Sequence, residues 1–220
     1  FYLFSVGWIL ILIVGYNSIF PISLFTLIMA VTYALFTFLS QILFIRAVDC
    51  GDVALSSLFY SCGFLVPVIA GTIIYNENVN LRQILGIALL LVSFVVSVKA
   101  DKKVNFRWLL YAVSAMISAG MVGLLQKIFR MSAYKAQMNG FLVITFFIII
   151  IVMLLLMPKN KFVKPNKGFV KSAVIVGLSL GFANIINLYL SGVMPSVILF
   201  SALNGGAIIS SAFGANLILH

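Results

Sequence analysis

The chain has 220 residues, 64% of them hydrophobic and 8% charged, with a mean hydropathy of +1.24. A soluble domain carries roughly 25% charged residues, so this composition leaves too little polar surface to cover a water-facing globule and excludes a soluble enzyme or binding module. The net charge of +10 does not indicate nucleic acid, because the basic residues sit in short connections between apolar runs, where they set topology and meet anionic headgroups.

A bilayer core needs about 20 apolar residues in a helix. Charge-free stretches cover 1–45, 53–76, 83–98, 108–126, 136–158 and 172–219. The first and last are long enough for two spans each. Both contain breakers: Tyr16-Asn17-Ser18 with Pro21, and Ser191-Gly192 with Pro195. The pattern predicts eight helices near 1–16, 22–46, 53–76, 81–98, 107–127, 137–157, 169–190 and 196–219. Runs such as 143–157 are apolar on every side, whereas barrel strands would alternate over about 10 residues. A helix satisfies its own backbone in hydrocarbon. The expected fold is therefore an all-α integral membrane protein, multi-pass, in the cell membrane.

Polar side chains within these runs must find partners, because an unsatisfied amide in hydrocarbon costs several kcal/mol. Span 22–46 carries Ser40 and Gln41; span 53–76 carries Ser57, Tyr60 and Ser61 at i, i+3 and i+4, on one face. Span 169–190 carries Asn184 and Asn187, and the last carries Ser201 and Asn204. The candidate lining of a substrate cavity is Asn204, Tyr60, Asn184, Asn187, Ser57, Ser201 and Gln41. The competing reading is interhelical hydrogen bonding, worth roughly 0.6 kcal/mol each. Gly177 and Gly181 form a small-residue packing motif, and Pro67 is expected to kink its span. Gln126 and Lys127 end the fifth span, where Lys127 is expected to reach up to the headgroups. No carboxylate lies mid-span: Asp49, Asp52, Glu77 and Asp101 fall at helix ends or in connections. Cys50 and Cys62 are too far apart on a helix for a disulfide. No metal cluster, catalytic constellation or phosphate loop is visible, so no cofactor or catalytic residue is expected.

Sliding the sequence on itself by 144 residues aligns spans 1–16, 22–46 and 53–76 with 145–160, 166–190 and 197–220 without a gap. Pro21 falls on Pro165, Phe38 on Phe182, Val53 on Val197 and Ser57 on Ser201. An odd number of helices, five, separates a span from its copy, so the second copy enters the membrane inverted. Inverted repeats with a site at their interface are a recurrent transporter design. The expected division is 1–100 and 101–220, each short of one helix, which makes the chain a piece of a ten-helix protein of two five-helix repeats. Residue 221 is expected to be acidic, as the counterpart of Glu77.

Gly51-Asp52-Val53-Ala54-Leu55-Ser56-Ser57 enters a helix, Pro67 follows, then Tyr75-Asn76-Glu77, then Leu81-Arg82-Gln83-Ile84-Leu85-Gly86. Pro195-Ser196-Val197 through Asn204-Gly205-Gly206 matches in the second half. This pattern resembles the EamA-like branch of the drug/metabolite transporter superfamily. The resemblance implies ten helices, an inverted repeat, a central cavity and transport of a small metabolite or drug by alternating access. It also implies that Glu77 is a turn or cap residue. The partners expected are a small-molecule substrate and the lipid bilayer, not nucleic acid, with a homodimer left open. The alternatives are a membrane scaffold or receptor, and a lipid-modifying enzyme. The connections near 46–52, 99–107 and 158–171 hold ten Lys and Arg against four near 17–21, 77–82, 127–136 and 191–195. The positive-inside rule makes the first group cytoplasmic; the resemblance implies the second.

Overall fold

A computed structural model describes residues 2–15, 20–97, 105–156 and 167–206. The breaker Tyr16-Asn17-Ser18, Asp101 and the end of the last expected span lie outside the described residues. The helices are α1 (Tyr2–Gly15), α2 (Leu24–Cys50), α3 (Val53–Ser61), α4 (Leu65–Ile74), α5 (Leu81–Ser97), α6 (Phe106–Met131), α7 (Met138–Leu156) and α8 (Lys167–Ser191). A ninth, α9, covers Ser196–Gly206. No strand occurs among the described residues.

Five of these segments are long and apolar enough to cross a membrane: Leu24–Cys50, Val53–Ile74, Phe106–Met131, Lys135–Leu156 and Gly168–Ser191. The expected spans at 1–16, 81–98 and 196–219 correspond to shorter apolar helices in the described part, Ser5–Gly15, Leu81–Val92 and Ser196–Gly206. Large apolar side chains, among them Ile13, Ile73, Leu89 and Leu155, stand exposed on outward faces. Soluble monomers rarely expose apolar patches on this scale. The chain reads as a multi-pass membrane protein.

The contacts group the chain into two compact units. The first comprises the described residues of Phe1–Phe38 and Leu125–Gly192. Here α1 packs against α8 and α7. The α1–α8 crossing is close because both faces carry glycine. A methyl on Gly7 would lie 3.1 Å from the Gly177 carbonyl oxygen, and one on Gly181 would lie 3.1 Å from that of Gly7. Small residues let membrane helices approach in this way. The Trp8 indole N–H donates to the Val143 carbonyl at 3.0 Å, anchoring α1 to α7. At the start of α2, the Ser23 N–H and the Thr26 hydroxyl both donate to the Gln137 side-chain oxygen. Further in, Phe129 stacks on Phe141 with centroids 4.3 Å apart, and Tyr33 meets Phe141 edge-on.

The second unit comprises the described residues of Leu39–Leu124 and Val193–His220. Asp52 caps α3, its carboxylate accepting from the Leu55 N–H at 2.9 Å. Asn80 and Gln83 cap α5 reciprocally, each side-chain oxygen accepting from the other's N–H at 3.0 and 2.9 Å. Asn105 caps α6 through the Trp108 N–H at 2.6 Å. Trp108 is buried with Ala47 and Ala112, and its indole N–H donates to the Ser56 hydroxyl at 2.9 Å. Removing the Asn105 cap therefore loosens the whole corner: Asn105→Ala is expected to cost about 1 kcal/mol, read as a lowered Tm in detergent.

The span Val53–Ile74 is not one regular helix. A 3₁₀ turn, Cys62–Phe64, separates α3 from α4. Pro67 has no N–H to return to the Gly63 carbonyl, and its ring would crowd that carbonyl in a regular helix. Within the turn the Gly63 carbonyl takes the Leu65 N–H, and it lies close to α6, where a methyl on Gly120 would lie only 2.5 Å from it.

The expected 1–100 and 101–220 division rests on the expected duplication. The packing units draw on residues from both halves, and duplication and packing are separate properties.

Candidate functional site

Three of the seven polar candidates fall in two clusters, Asn184 in one unit and Tyr60 with Gln41 in the other. In the first unit, the Tyr33 hydroxyl accepts from the Gln126 amide at 2.9 Å and donates to the Asn184 oxygen at 3.3 Å. The Asn184 amide nitrogen donates to the Leu180 carbonyl at 2.9 Å, one turn back in α8. Tyr33 is 2% exposed and Gln126 5%. Three side chains from α2, α6 and α8 thus join at one hydroxyl, deep within apolar helices. The Ser191 hydroxyl bonds the Leu188 carbonyl at 2.7 Å and reaches the Gln126 carbonyl at 3.4 Å, tying the ends of α6 and α8. Asn187 is half-buried and makes no side-chain hydrogen bond among the described residues.

In the second unit, the Tyr60 hydroxyl accepts from the Gln41 amide at 3.1 Å, and the Ser40 hydroxyl lies 3.5 Å away. The Phe44 ring packs on Tyr60 at 4.9 Å. This cluster stands immediately before the 3₁₀ turn. The remaining candidates do not join it. Ser57 is exposed and bonds the Val53 carbonyl of its own helix at 2.9 Å. Asn204 likewise bonds the Phe200 carbonyl at 2.9 Å. The Ser201 hydroxyl oxygen is buried with no hydrogen-bond partner.

Glu77 lies in the connection after α4, and its carboxylate accepts from the Ser196 N–H at 2.7 Å. Pro67 is fully buried beside Gly123 of α6. Lys127 departs from expectation. It is 4% exposed, enclosed by protein rather than reaching outward, because α6 does not end near 127 but continues to Met131. The last turn of α6 carries Arg130, which complements the helix dipole and lies over the Tyr189 ring at 5.5 Å.

Sequence reasoning missed Tyr33. A tyrosine scores as an aromatic apolar residue, so its hydroxyl leaves no mark in a charge or amide count. Gln126 was visible only as a neighbour of Lys127.

Chemically, the clusters offer hydroxyls and amides. They can recognise a solute by hydrogen bonding, and they contain no nucleophile–base pair. Among the described residues, no group of three or more His, Cys, Asp or Glu could hold a metal ion. No protein-family model matches the chain, and no curated protein is similar to it.

Proposed function

We propose that this chain acts in a secondary transporter, built as an EamA-like inverted repeat, that moves a small solute by alternating access. The observation that carries the reading is the Tyr33–Gln126–Asn184 cluster, three polar side chains from three spanning helices meeting at one buried hydroxyl. Polar groups inside a membrane are expensive to bury, and hydroxyls and amides gathered from three helices supply the hydrogen-bonding groups that a solute site needs.

The charge distribution narrows the solute. The sequence of 1–38 and 125–192 contains no Asp or Glu but includes the buried Lys127. A cationic drug would find no counter-charge there. A neutral polar or anionic solute fits.

Flux into proteoliposomes holding the protein tests this, using amino acids, sugars, nucleosides, organic anions and cationic drugs. Uptake of a neutral or anionic class is expected. A folded protein with no flux for any of them would leave the scaffold, receptor or lipid-enzyme readings. Asn204→Leu is expected to lower flux severalfold with membrane insertion unchanged, as read by transport kinetics and surface quantity. Unaltered kinetics would remove Asn204 from the pathway.

A further inference from the structure

We propose that the Glu77 carboxylate is a releasable latch on α9, closed in the state described and opened when α9 moves. The proposal rests on the transport reading only for the requirement that a second state exists.

The start of α9 is short of partners. Pro195 has no N–H, and the Pro195 carbonyl takes the Ile198 and Leu199 N–H groups at 3.1 Å each. The Ser196 N–H is an orphan donor of the first turn. Glu77 supplies its acceptor from 119 residues away in sequence: one carboxylate oxygen lies 2.7 Å from the Ser196 nitrogen, and the other is 3.3 Å from the Ser196 hydroxyl. A carboxylate at a helix N-terminus is favoured by the charge-assisted bond and by the dipole.

The connection is shaped to deliver this group. The Tyr75 and Glu77 N–H groups both return to the Gly71 carbonyl, at 3.1 and 3.3 Å. Asn76 between them takes a left-handed φ of 49°, which asparagine tolerates better than most residues. The contact also needs Gly71, since a methyl there would lie 2.7 Å from both the Glu77 carboxylate and the Ser196 hydroxyl oxygen.

What makes the contact a latch is how little else holds α9 by polar bonds. Asn204 turns its amide to its own helix, and the Ser201 hydroxyl is buried without a partner. Among the described residues, the Glu77 bonds are the hydrogen bonds that tie α9 to another segment. The other buried contacts of α9, through Val197, Leu199 and Phe200, are apolar and impose no directional bonds on a shift. The unpartnered Ser201 hydroxyl disfavours the closed position, and any state that gives it a partner relieves that strain. The corresponding helix of the first half differs. Asp52 stands at the Ser196 position under the 144-residue shift, and it caps α3 from within the same segment. A helix capped from its own chain segment keeps its cap when it moves; α9 must let its cap go.

The test is thiol accessibility of the protein in proteoliposomes. Ser201→Cys is introduced in a Cys50→Ser/Cys62→Ser background and labelled with a water-soluble maleimide. Glu77→Leu is expected to raise the labelling rate about tenfold, the population shift that one charge-assisted hydrogen bond carries. Ser196→Ala, which leaves the N–H bond intact, is expected to raise it about threefold. Glu77→Gln, which keeps an acceptor, should fall between wild type and Glu77→Leu. If Glu77→Leu does not fold, the two milder variants decide. Labelling rates equal to wild type in the folded variants, with only Tm lowered, would make Glu77 a static cap and overturn the latch. The two readings fail separately. Altered labelling without flux keeps the latch and sinks transport, whereas flux with unaltered labelling does the reverse.

Discussion

Gly120→Leu is expected to abolish the folded protein, while Gly86→Leu leaves it intact. The two glycines lie within apolar helices and a sequence count treats them alike. Their surroundings differ completely. A Cβ on Gly120 would fall 2.5 Å from the Gly63 carbonyl oxygen and 2.5 Å from two atoms of Val66, and one on Gly63 would fall 2.7 Å from the Met116 carbonyl oxygen. Half of these atoms are backbone and cannot swing away. Overpacking a core costs about 1–3 kcal/mol when side chains can adjust. Here two backbones must part, and a native protein has only about 5–15 kcal/mol to lose. Nothing lies within 4 Å of the equivalent point on Gly86, so Gly86→Leu should gain the roughly 0.8–1 kcal/mol of helix propensity that glycine lacks. Elution profile and Tm in mild detergent distinguish them. A Gly120→Leu protein that elutes and melts like wild type would show that the Cys62–Phe64 turn and α6 do not meet at Gly63.

The long elements were legible because charge is expensive in hydrocarbon. Stretches free of Asp, Glu, Lys and Arg between Asp52 and Glu77, or between Arg107 and Lys127, bound their helices to within a few residues. The end of α6 is the instructive exception. Lys127 marked a boundary by its charge, yet the helix runs four residues further, because the side chain is enclosed by protein instead of meeting water. Pro67 announced an irregularity but not its form. The Gly63 carbonyl takes the Leu65 N–H within the 3₁₀ turn and lies against α6, more than 50 residues away in sequence, which a proline in the sequence does not reveal. The same limit applies to the polar residues. Periodicity put Ser57, Tyr60 and Ser61 on one face, but only Tyr60 reaches another helix there, and Ser57 and Asn204 bond back to their own helices. Serine and asparagine carry both options in the same short side chain, so spacing alone does not choose between them. Glu77 could be read as a turn residue, whereas its partner Ser196 is a fact of tertiary structure.

Tyr33→Phe is the substitution that separates a recognition site from a mere internal strut. It deletes one oxygen and keeps the ring that packs edge-on against Phe141. Two partners then lose their bond at once, the Gln126 amide and the Asn184 oxygen. A net hydrogen bond inside a bilayer averages about 0.6 kcal/mol, but leaving a buried group unsatisfied costs about 1–3 kcal/mol. The second term dominates, because Gln126 is 5% exposed and water cannot replace the hydroxyl. A clear fall in Tm is therefore expected, together with at least a tenfold loss of flux through a raised KM. The stability loss has a remedy that the transport loss does not. In the triple variant Tyr33→Phe, Gln126→Leu, Asn184→Leu, no member of the cluster is left wanting a partner, and apolar replacement of a whole buried polar set is close to neutral. Its Tm should return toward wild type while flux stays lost, since the solute would then meet only hydrocarbon. A stable triple variant that still transports with unchanged KM would assign the cluster to packing and move the pathway elsewhere.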